Sequence, residues 1–253
     1  MRKFVLGLAV AAAIGLPAIS LAASPADVSA AVASPSRSAD NVKLDESRKP
    51  AEVLSFLGLG EGMHVLDLFG GNRYWAEIMA PAVGATGSVV VWEPSQFAND
   101  KTKTEFAAFA SSQPNAALII TPIEAPSLGA NAYDFVMLNL NYHDTYWQSA
   151  KFGIPRVEPD EWLKVVYAAV KPGGIVGVID HVANPNDDTR VTVEKYHRID
   201  PAVVKADFER AGFVLDGQSD LLRNPADDHS KGVFDPAIRG KTDRFIFRFR
   251  KPA

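Results

Sequence analysis

The sequence predicts an α/β protein with a doubly wound, mostly parallel sheet of seven strands, the last of which runs antiparallel. Short β-rich runs alternate with helical patterns from about residue 43, which is typical of parallel strands joined by crossover helices. The first run, residues 63–68, is apolar enough to be buried on both faces, as strands of parallel sheets are. The run at 245–249 alternates aromatic residues with others, which favours a strand that closes the sheet.

The elements follow in order from residue 50. Pro50 suits the first turn of a helix and Gly58 suits its end, so the first helix is predicted at 50–57. The predicted strands are 63–68, 88–92, 117–120, 133–138, 175–179, a strand starting at 213, and 245–249. The predicted helices between them are 73–82, 97–111, 159–170 and 201–211. Ligands of such sheets bind beyond the carboxyl ends of the strands, near the switch in strand order.

Residues 1–23 have the three-part pattern of a secretory signal peptide. Arg2 and Lys3 precede an apolar stretch, and small residues at 20–23 offer a cleavage site. The pattern predicts a periplasmic or secreted protein with no stable membrane insertion after the leader is cleaved. An uncleaved N-terminal anchor is the alternative.

Composition and domain organisation limit the classes of function that the protein could have. Residues 24–42 are rich in Ser, Ala and Pro without a period, which predicts a flexible linker, and residues 43–253 form one predicted domain. The net charge of −4 gives no reason to expect a nucleic-acid partner. The absence of cysteine excludes disulfides, thiolate zinc sites and a cysteine nucleophile. The oligomeric state stays open.

A strand, an acid and a glycine-rich turn into a helix follow one another at residues 65–74, which read Val-Leu-Asp-Leu-Phe-Gly-Gly-Asn-Arg-Tyr. This pattern resembles the first motif of the class I S-adenosylmethionine-dependent methyltransferase superfamily, as do the acid at Glu93 and the runs at 133–136 and 170–174. The resemblance implies a Rossmann-like methyltransferase fold, S-adenosyl-L-methionine as cofactor and a small molecule as methyl acceptor. Further short matches, among them 141–144 and 240–245, resemble a bacterial group of predicted exported methyltransferases.

The resemblance also implies a set of cofactor-binding residues. A carboxylate at Glu93 would accept hydrogen bonds from both ribose hydroxyls, and glycine in the turn lets the backbone approach a ligand closely. Asp67 would fix the turn or reach the methionine amine, and Phe69 would roof the pocket. The cofactor-binding residues implied are Asp67, Phe69, Gly70, Gly71, Glu93, Glu124 and Asn139.

The turn departs from the family pattern of an acid followed by three alternate glycines. Those three places hold Phe69, Gly71 and Arg73, and the Arg73 side chain would either hold the methionine carboxylate or fill the site. Pro122 stands where the family has an adenine-contacting acid, with Glu124 two residues later as the candidate substitute. A non-catalytic exported binding protein that kept the fold is therefore the alternative function.

Histidines follow two of the predicted strands and precede a later helix. His143, beside Asp144, is the first candidate for a general base or a substrate contact. His181 follows the fifth strand and His197 precedes the helix at 201–211, so the predicted catalytic set is His143, Asp144, His181 and His197. Ordinary hydrogen-bonded loop histidines, or a metal-dependent hydrolase, are the alternatives.

The stretch 223–241 is long for a connection between strands, and such loops are usually lids or binding surfaces. Cations in this stretch and just after it would suit an acidic substrate group, and they are Arg223, Arg239, Lys241 and Arg244. The alternative is a solvated insertion whose charges pair with nearby acids, which are Asp227, Asp228, Asp235 and Asp243.

Overall fold

Seven strands form one sheet in the computed structural model, which describes residues 24–185 and 188–253. The strands are β1 (His64–Leu68), β2 (Ser88–Pro94), β3 (Ala116–Thr121), β4 (Tyr133–Asn139), β5 (Val170–His181), β6 (Val214–Ser219) and β7 (Arg244–Arg250). Their order is β3-β2-β1-β4-β5-β7-β6. The first five pair in parallel, and β7 runs antiparallel to both β5 and β6. This confirms the predicted mostly parallel seven-stranded sheet with an antiparallel last strand.

Helices cover both faces of the sheet. They are α1 (Val28–Val32), α2 (Ala39–Val42), α3 (Asp45–Arg48), α4 (Pro50–Leu57), α5 (Ala76–Val83), α6 (Asp100–Ser112), α7 (Pro159–Ala169), α8 (Thr189–Tyr196) and α9 (Pro201–Arg210). Short 3₁₀ turns lie at Tyr142–Tyr146 and Ala150–Phe152. Side chains of β1 alternate between the two resulting cores, with Val65 in one and Leu66 and Leu68 in the other. Because faces alternate along a strand, Asp67 lies on the Val65 face.

Local sequence explains where the helices begin and end. Pro50 starts α4, and Gly58, with φ of +86°, ends it. Asn99 caps α6 by accepting from the Thr102 amide. The helix predicted from residue 73 begins three residues later because Arg73 has a left-handed φ of +63°.

Helix α8 is not among the predicted helices, because its sequence begins Thr-Arg-Val-Thr-Val and β-branched residues are weak helix formers. The side chain of Asp188 caps it by accepting from the Val191 amide. As a result His197 is the residue that ends α8, with a left-handed φ of +51°.

The predicted flexible linker at 24–42 is instead a packed part of the fold, so that prediction is wrong. Val28 and Ala31, three residues apart on α1, are buried against α4 and α5. The Arg37 guanidinium forms two hydrogen bonds, of 2.6 and 2.7 Å, with the Asp45 carboxylate. A segment dominated by Ala and Ser has little amphipathic signal, so these tertiary contacts order it without a sequence period.

The predicted signal peptide at 1–23 lies outside the described residues. Among the helices that the structure does describe, none combines the length and apolar character needed to cross a bilayer.

Candidate functional site

The carboxyl ends of β1, β2, β4 and β5 meet at one edge of the sheet, around the switch in strand order between β1 and β4. A cavity of about 640 Å³ opens at this edge, a size typical of small-molecule sites. Residues at or just after the strand ends form its floor, and they are Phe69, Glu93, Leu140 and His181. Aromatic residues from the connecting segments form its outer wall, and they are Trp147, Phe152 and Phe234.

Glu93 borders the cavity as predicted, with only 9% of its surface exposed. Its Oε2 accepts a hydrogen bond of 2.9 Å from the Gly71 amide. A Cβ on Gly71 would lie 2.5 Å from the Glu93 carboxyl carbon, so only glycine lets turn and carboxylate meet. Burial raises the pKa of Glu93 to about 7, with the nearby Asp144 adding to it and the Gly71 hydrogen bond opposing it.

Asp67 lies beneath the turn beside a second, smaller cavity of about 70 Å³. Its Oδ2 is buried without a hydrogen-bond partner among the described residues, and a Cβ on Gly70 would lie 2.5 Å from that oxygen. Burial, helped by the charge of Glu93, raises the pKa of Asp67 to about 8. Arg48, Asn139 and Asn141 also line this small cavity.

Phe69 occupies the place of the first family glycine and keeps a left-handed φ of +57°. Its ring packs edge-on against Trp92, with centroids 5.1 Å apart, and 6.2 Å from Phe97. Leu140 and His197, which also line the large cavity, have φ of +61° and +51°. Such strain in non-glycine residues is typical of functional sites.

Arg73 turns away from both cavities. Its guanidinium lies 2.8 Å from Glu105 of α6 and 3.8 Å from Glu77 of α5, and it is largely buried between them. Arg73 is therefore not among the residues that line either cavity, and its side chain does not fill them.

The four predicted catalytic residues lie together on the cavity wall. His143 Nδ1 lies 2.8 Å from Asp180 Oδ1, and its Nε2 lies 3.6 Å from Asp144 Oδ1. Asp180 also accepts from the His143 amide at 3.0 Å. Burial alone would lower the pKa of His143, but Asp180 and Asp144 together raise it to about 9. The imidazole is therefore a cationic donor at neutral pH.

The other two histidines are neutral. Burial lowers the pKa of His181 to about 3, and its Nδ1 shares a 2.7 Å hydrogen bond with Thr242. Burial and the charge of His143 lower the pKa of His197. The His143 ring lies 6.0 Å from His181 and 5.7 Å from His197, measured between centroids.

Glu124 lies away from the cavity. Its carboxylate is exposed and accepts a 2.8 Å hydrogen bond from Gln96 Nε2. Gln96 Oε1 in turn accepts from the Ile123 amide at 3.0 Å. One glutamine side chain thus bridges the strand ends of β2 and β3.

Several lining residues are absent from the predicted site. The aromatic wall comes from 3₁₀ turns and a loop, which carry no hydrophobic period to reveal them. In the sequence, Asp180 is marked only by its position next to His181. Because successive strand residues point to opposite faces, its side chain pairs with His143 instead.

Two ion pairs hold the long segment before β7 in place. Arg223 forms two 2.8 Å hydrogen bonds with Asp243, and the buried Arg198 pairs with Asp227 at 2.9 Å. Between them, Val233 and Phe234 close one side of the large cavity. The Arg223–Asp243 pair joins the two ends of the segment that carries this side of the cavity.

In the described ranges, no group of three or more His, Cys, Asp or Glu residues is arranged to hold a metal ion.

No family model and no curated protein matches this sequence. Solved structures do match the fold. A SAM-dependent methyltransferase from Aquifex aeolicus superposes with a TM-score of 0.57 at 18% identity, over 84% of this chain and 99% of that one. The chain has the fold of the S-adenosylmethionine-dependent methyltransferases.

Two other solved structures share this methyltransferase fold. The 1,6-didemethyltoxoflavin-N1-methyltransferase from Burkholderia thailandensis, solved with S-adenosylhomocysteine, gives a TM-score of 0.52 at 13% identity, covering 85% of this chain and 80% of that one. The cyclase SpnF gives 0.57 at 14% identity, covering 82% and 81%. Because the fold hosts a cyclase as well as methyltransferases, the reaction must be argued from the site.

Proposed function

We propose that this protein is an S-adenosylmethionine-dependent methyltransferase that acts on a small molecule. The observation that carries the proposal is the Glu93 carboxylate, which is held by the Gly71 amide and opens into the large cavity at the end of β2. A buried carboxylate of this kind is stabilised by hydroxyl donors, and adjacent ribose hydroxyls supply two of them.

The small cavity suits the amino-acid end of the same cofactor. The unpartnered Oδ2 of Asp67 is a place for an ammonium group, and the guanidinium of Arg48 is a place for a carboxylate. Phe69, Leu140 and Asn141 line both cavities, so one extended molecule would reach from Glu93 to Asp67.

When bound, S-adenosylmethionine supplies a methyl group already activated on a sulfonium, and alignment with an acceptor is then the main requirement. Glu93 and Asp144 place negative charge on the cavity wall, which favours a cation there. Asn141 Nδ2 donates a 2.9 Å hydrogen bond to Asp144 Oδ2 and fixes that carboxylate for the acceptor. His143, held by Asp180, donates from the same wall.

Gln96 bridges a donor, the Ile123 amide, and an acceptor, the Glu124 carboxylate. This pair is complementary to the Watson–Crick edge of adenine, which has one ring-nitrogen acceptor and one amino donor. The Ile123 amide would donate to the ring nitrogen and Glu124 would accept from the amino group. In this proposal Glu124 keeps its adenine role, and the Gln96 carboxamide occupies that place in the absence of the nucleoside.

A binding protein without catalysis is the second candidate. The observation that favours it is the departure of the turn from the family pattern, since Phe69 and Arg73 stand at two of the three glycine places and Pro122 stands at the place of the adenine-contacting acid. In either case we propose export to the periplasm or outside the cell, as in the exported methyltransferase group, on the leader pattern at 1–23.

Calorimetric titration with S-adenosylmethionine and S-adenosylhomocysteine tests the proposal. We expect saturable binding of both, weakened at least tenfold by Glu93→Gln, since hydrogen bonds to charged groups contribute about 1.5–3 kcal/mol. Glu93→Gln preserves the acceptor for the Gly71 amide, and Glu52→Gln on the exposed face of α4 is the matched control. Binding of neither compound would reject the proposal, and tight binding without methylation of any acceptor would favour the binding protein.

A further inference from the structure

The outer wall of the large cavity is a continuous series of ring contacts. Phe152 lies 5.9 Å from Trp147, Trp147 lies 5.3 Å from His197, and His197 lies 5.1 Å from Phe234, measured between centroids. From His197 the series continues to His143 at 5.7 Å. We call these five rings the aromatic wall.

The aromatic wall runs from solvent to the buried floor. Phe152 and Phe234 are 57% and 61% exposed at the mouth, whereas His143 is 3% exposed. Exposed apolar surface that borders a cavity is typical of ligand-binding grooves. Neighbouring rings of the wall are tilted by 44–66° to one another, so a flat aromatic ligand would stack on one ring and meet the next edge to face.

Charge at the inner end of the wall decides which flat ligands fit. The carboxylates of Asp144 and Asp180 flank the imidazolium of His143, and the Glu93 carboxyl group lies on the same cavity wall. His181 and His197 are neutral there. Two buried cations act on His181 without lining the cavity, since Arg198 is paired with Asp227 and Arg244 donates to the Thr242 and Ser47 carbonyls. Acidic groups thus outnumber the cation that faces them, so an anionic ligand would be repelled.

At the same end of the wall, the Asp144 carboxylate can accept a further hydrogen bond from a ligand donor. Asp144 has one oxygen bonded to Asn141 and the other 3.6 Å from His143, a separation too long for a good hydrogen bond. A ligand hydroxyl would give the Asp144 carboxylate the partner that it lacks at that distance.

We propose that the acceptor bound along the aromatic wall is a flat, uncharged aromatic molecule that carries a hydroxyl group. The proposal rests on the methyltransferase function in one respect, which is that the bound molecule is the methyl acceptor. The binding site itself does not depend on that function. Phe234 and Trp147 set the specificity for flat rings, and Asp144 sets it for the hydroxyl.

Four related probes separate these requirements. 2-Naphthol has the flat rings and the hydroxyl, decahydro-2-naphthol lacks the flat rings, 2-methoxynaphthalene lacks the donor, and 2-naphthoate is anionic. Each is titrated calorimetrically into the purified protein, alone and saturated with S-adenosylhomocysteine. We expect 2-naphthol to bind at least fivefold more tightly than any of the other three.

Variants at the mouth test the wall directly. Phe234→Ala should weaken 2-naphthol binding roughly five- to tenfold, the value of one aromatic contact, and Phe234→Leu should recover little of that loss. Val214→Ala, which truncates an equally exposed apolar residue at the far end of β6, should change nothing. Phe234 is exposed on a loop, so its truncation leaves the core intact.

The outcomes also separate this inference from the function on which it rests. Binding of 2-naphthol without binding of either cofactor form supports the aromatic site and rejects the methyltransferase. Cofactor binding without 2-naphthol binding, equal binding of 2-naphthoate or decahydro-2-naphthol, or an unaffected Phe234→Ala variant overturns the inference.

Discussion

His143 Nδ1 and Asp180 Oδ1 lie 2.8 Å apart although the residues are 37 positions apart in the chain. Both side chains are buried, and the Asp180 carboxylate also accepts from the His143 amide. The pair joins the turn after β4 to the end of β5, so it fixes both the shape and the charge of the cavity wall.

Asp180→Asn should lower the pKa of His143 from about 9 to below neutrality, because burial, which lowers it, would no longer be outweighed. Histidine NMR titration measures this directly. Asp100→Asn on exposed α6 is the control. A His143 pKa that stays near 9 in Asp180→Asn would show that Asp144 alone holds the proton.

The same pair makes stability depend on pH. The folded pKa of His143 lies above its unfolded value of about 6.5, so its contribution is complete below pH 6.5 and is lost as the pH rises through 9. We expect the free energy of unfolding to fall by up to about 3 kcal/mol over this window. Denaturant titrations at pH 6.5 and 9.5 measure the fall, which His143→Gln should reduce by this amount, and the fall that remains is due to groups such as Asp67, whose pKa of about 8 lies in the same window. An equal fall in that variant would assign it to another group.

Cofactor affinity should rise with pH below neutrality. Glu93 has a pKa of about 7 in the free protein, and its ionised form is the acceptor that ribose hydroxyls need. The affinity should therefore rise about tenfold per pH unit below pH 7 and level off above it. Calorimetry at pH 6 in buffers of different ionisation enthalpy should show that binding releases protons. Glu93→Gln should remove the component of the pH dependence of affinity that has its midpoint near pH 7. Proton uptake, or a flat profile, would contradict the role of Glu93.

Strand-end residues were predictable because parallel strands place their carboxyl ends at one edge. Asp67, Glu93, His143 and His181 were located in this way, and all border one of the two cavities or lie on their walls. Residues on irregular segments were not predictable. Phe234 reaches the site because its loop is held by ion pairs between distant residues, a feature without a local pattern.

The same limit applies to the segment before β1 and to the residue predicted to contact adenine. The helices at 28–48 depend on packing against α5 and on the ion pair between Arg37 and Asp45. A periodic sequence pattern predicts neither contact. Glu124 was placed by counting along the chain, but the direction of its side chain depends on the turn after β3 and on Gln96.

Asp67→Asn should stabilise the protein increasingly as pH rises. The Asp67 pKa is about 8 when folded and about 3.9 when unfolded, so between these values folding requires the chain to take up a proton and stability falls. The variant removes this loss, worth up to about 5 kcal/mol for the full shift, and Asn keeps an acceptor for the Ala76 amide. Scanning calorimetry at pH 5 and 8 compares it with the exposed control Glu46→Gln. A difference from the wild type that stays constant with pH would mean that Asp67 is ionised when folded.

Gln96→Ala should tighten nucleoside binding. The Gln96 carboxamide competes within the chain for the Ile123 amide and the Glu124 carboxylate, and removing an internal competitor raises the fraction of protein ready to bind. We expect a gain of roughly three- to tenfold for S-adenosylhomocysteine, on the basis of one neutral hydrogen bond. Gln113→Ala, the same substitution at the end of α6, is the control. Adenosine should show the same gain, because the effect concerns the base and not the amino-acid end. Weaker binding in Gln96→Ala would instead mean that Gln96 contacts the ligand, and an unchanged affinity would place the adenine elsewhere.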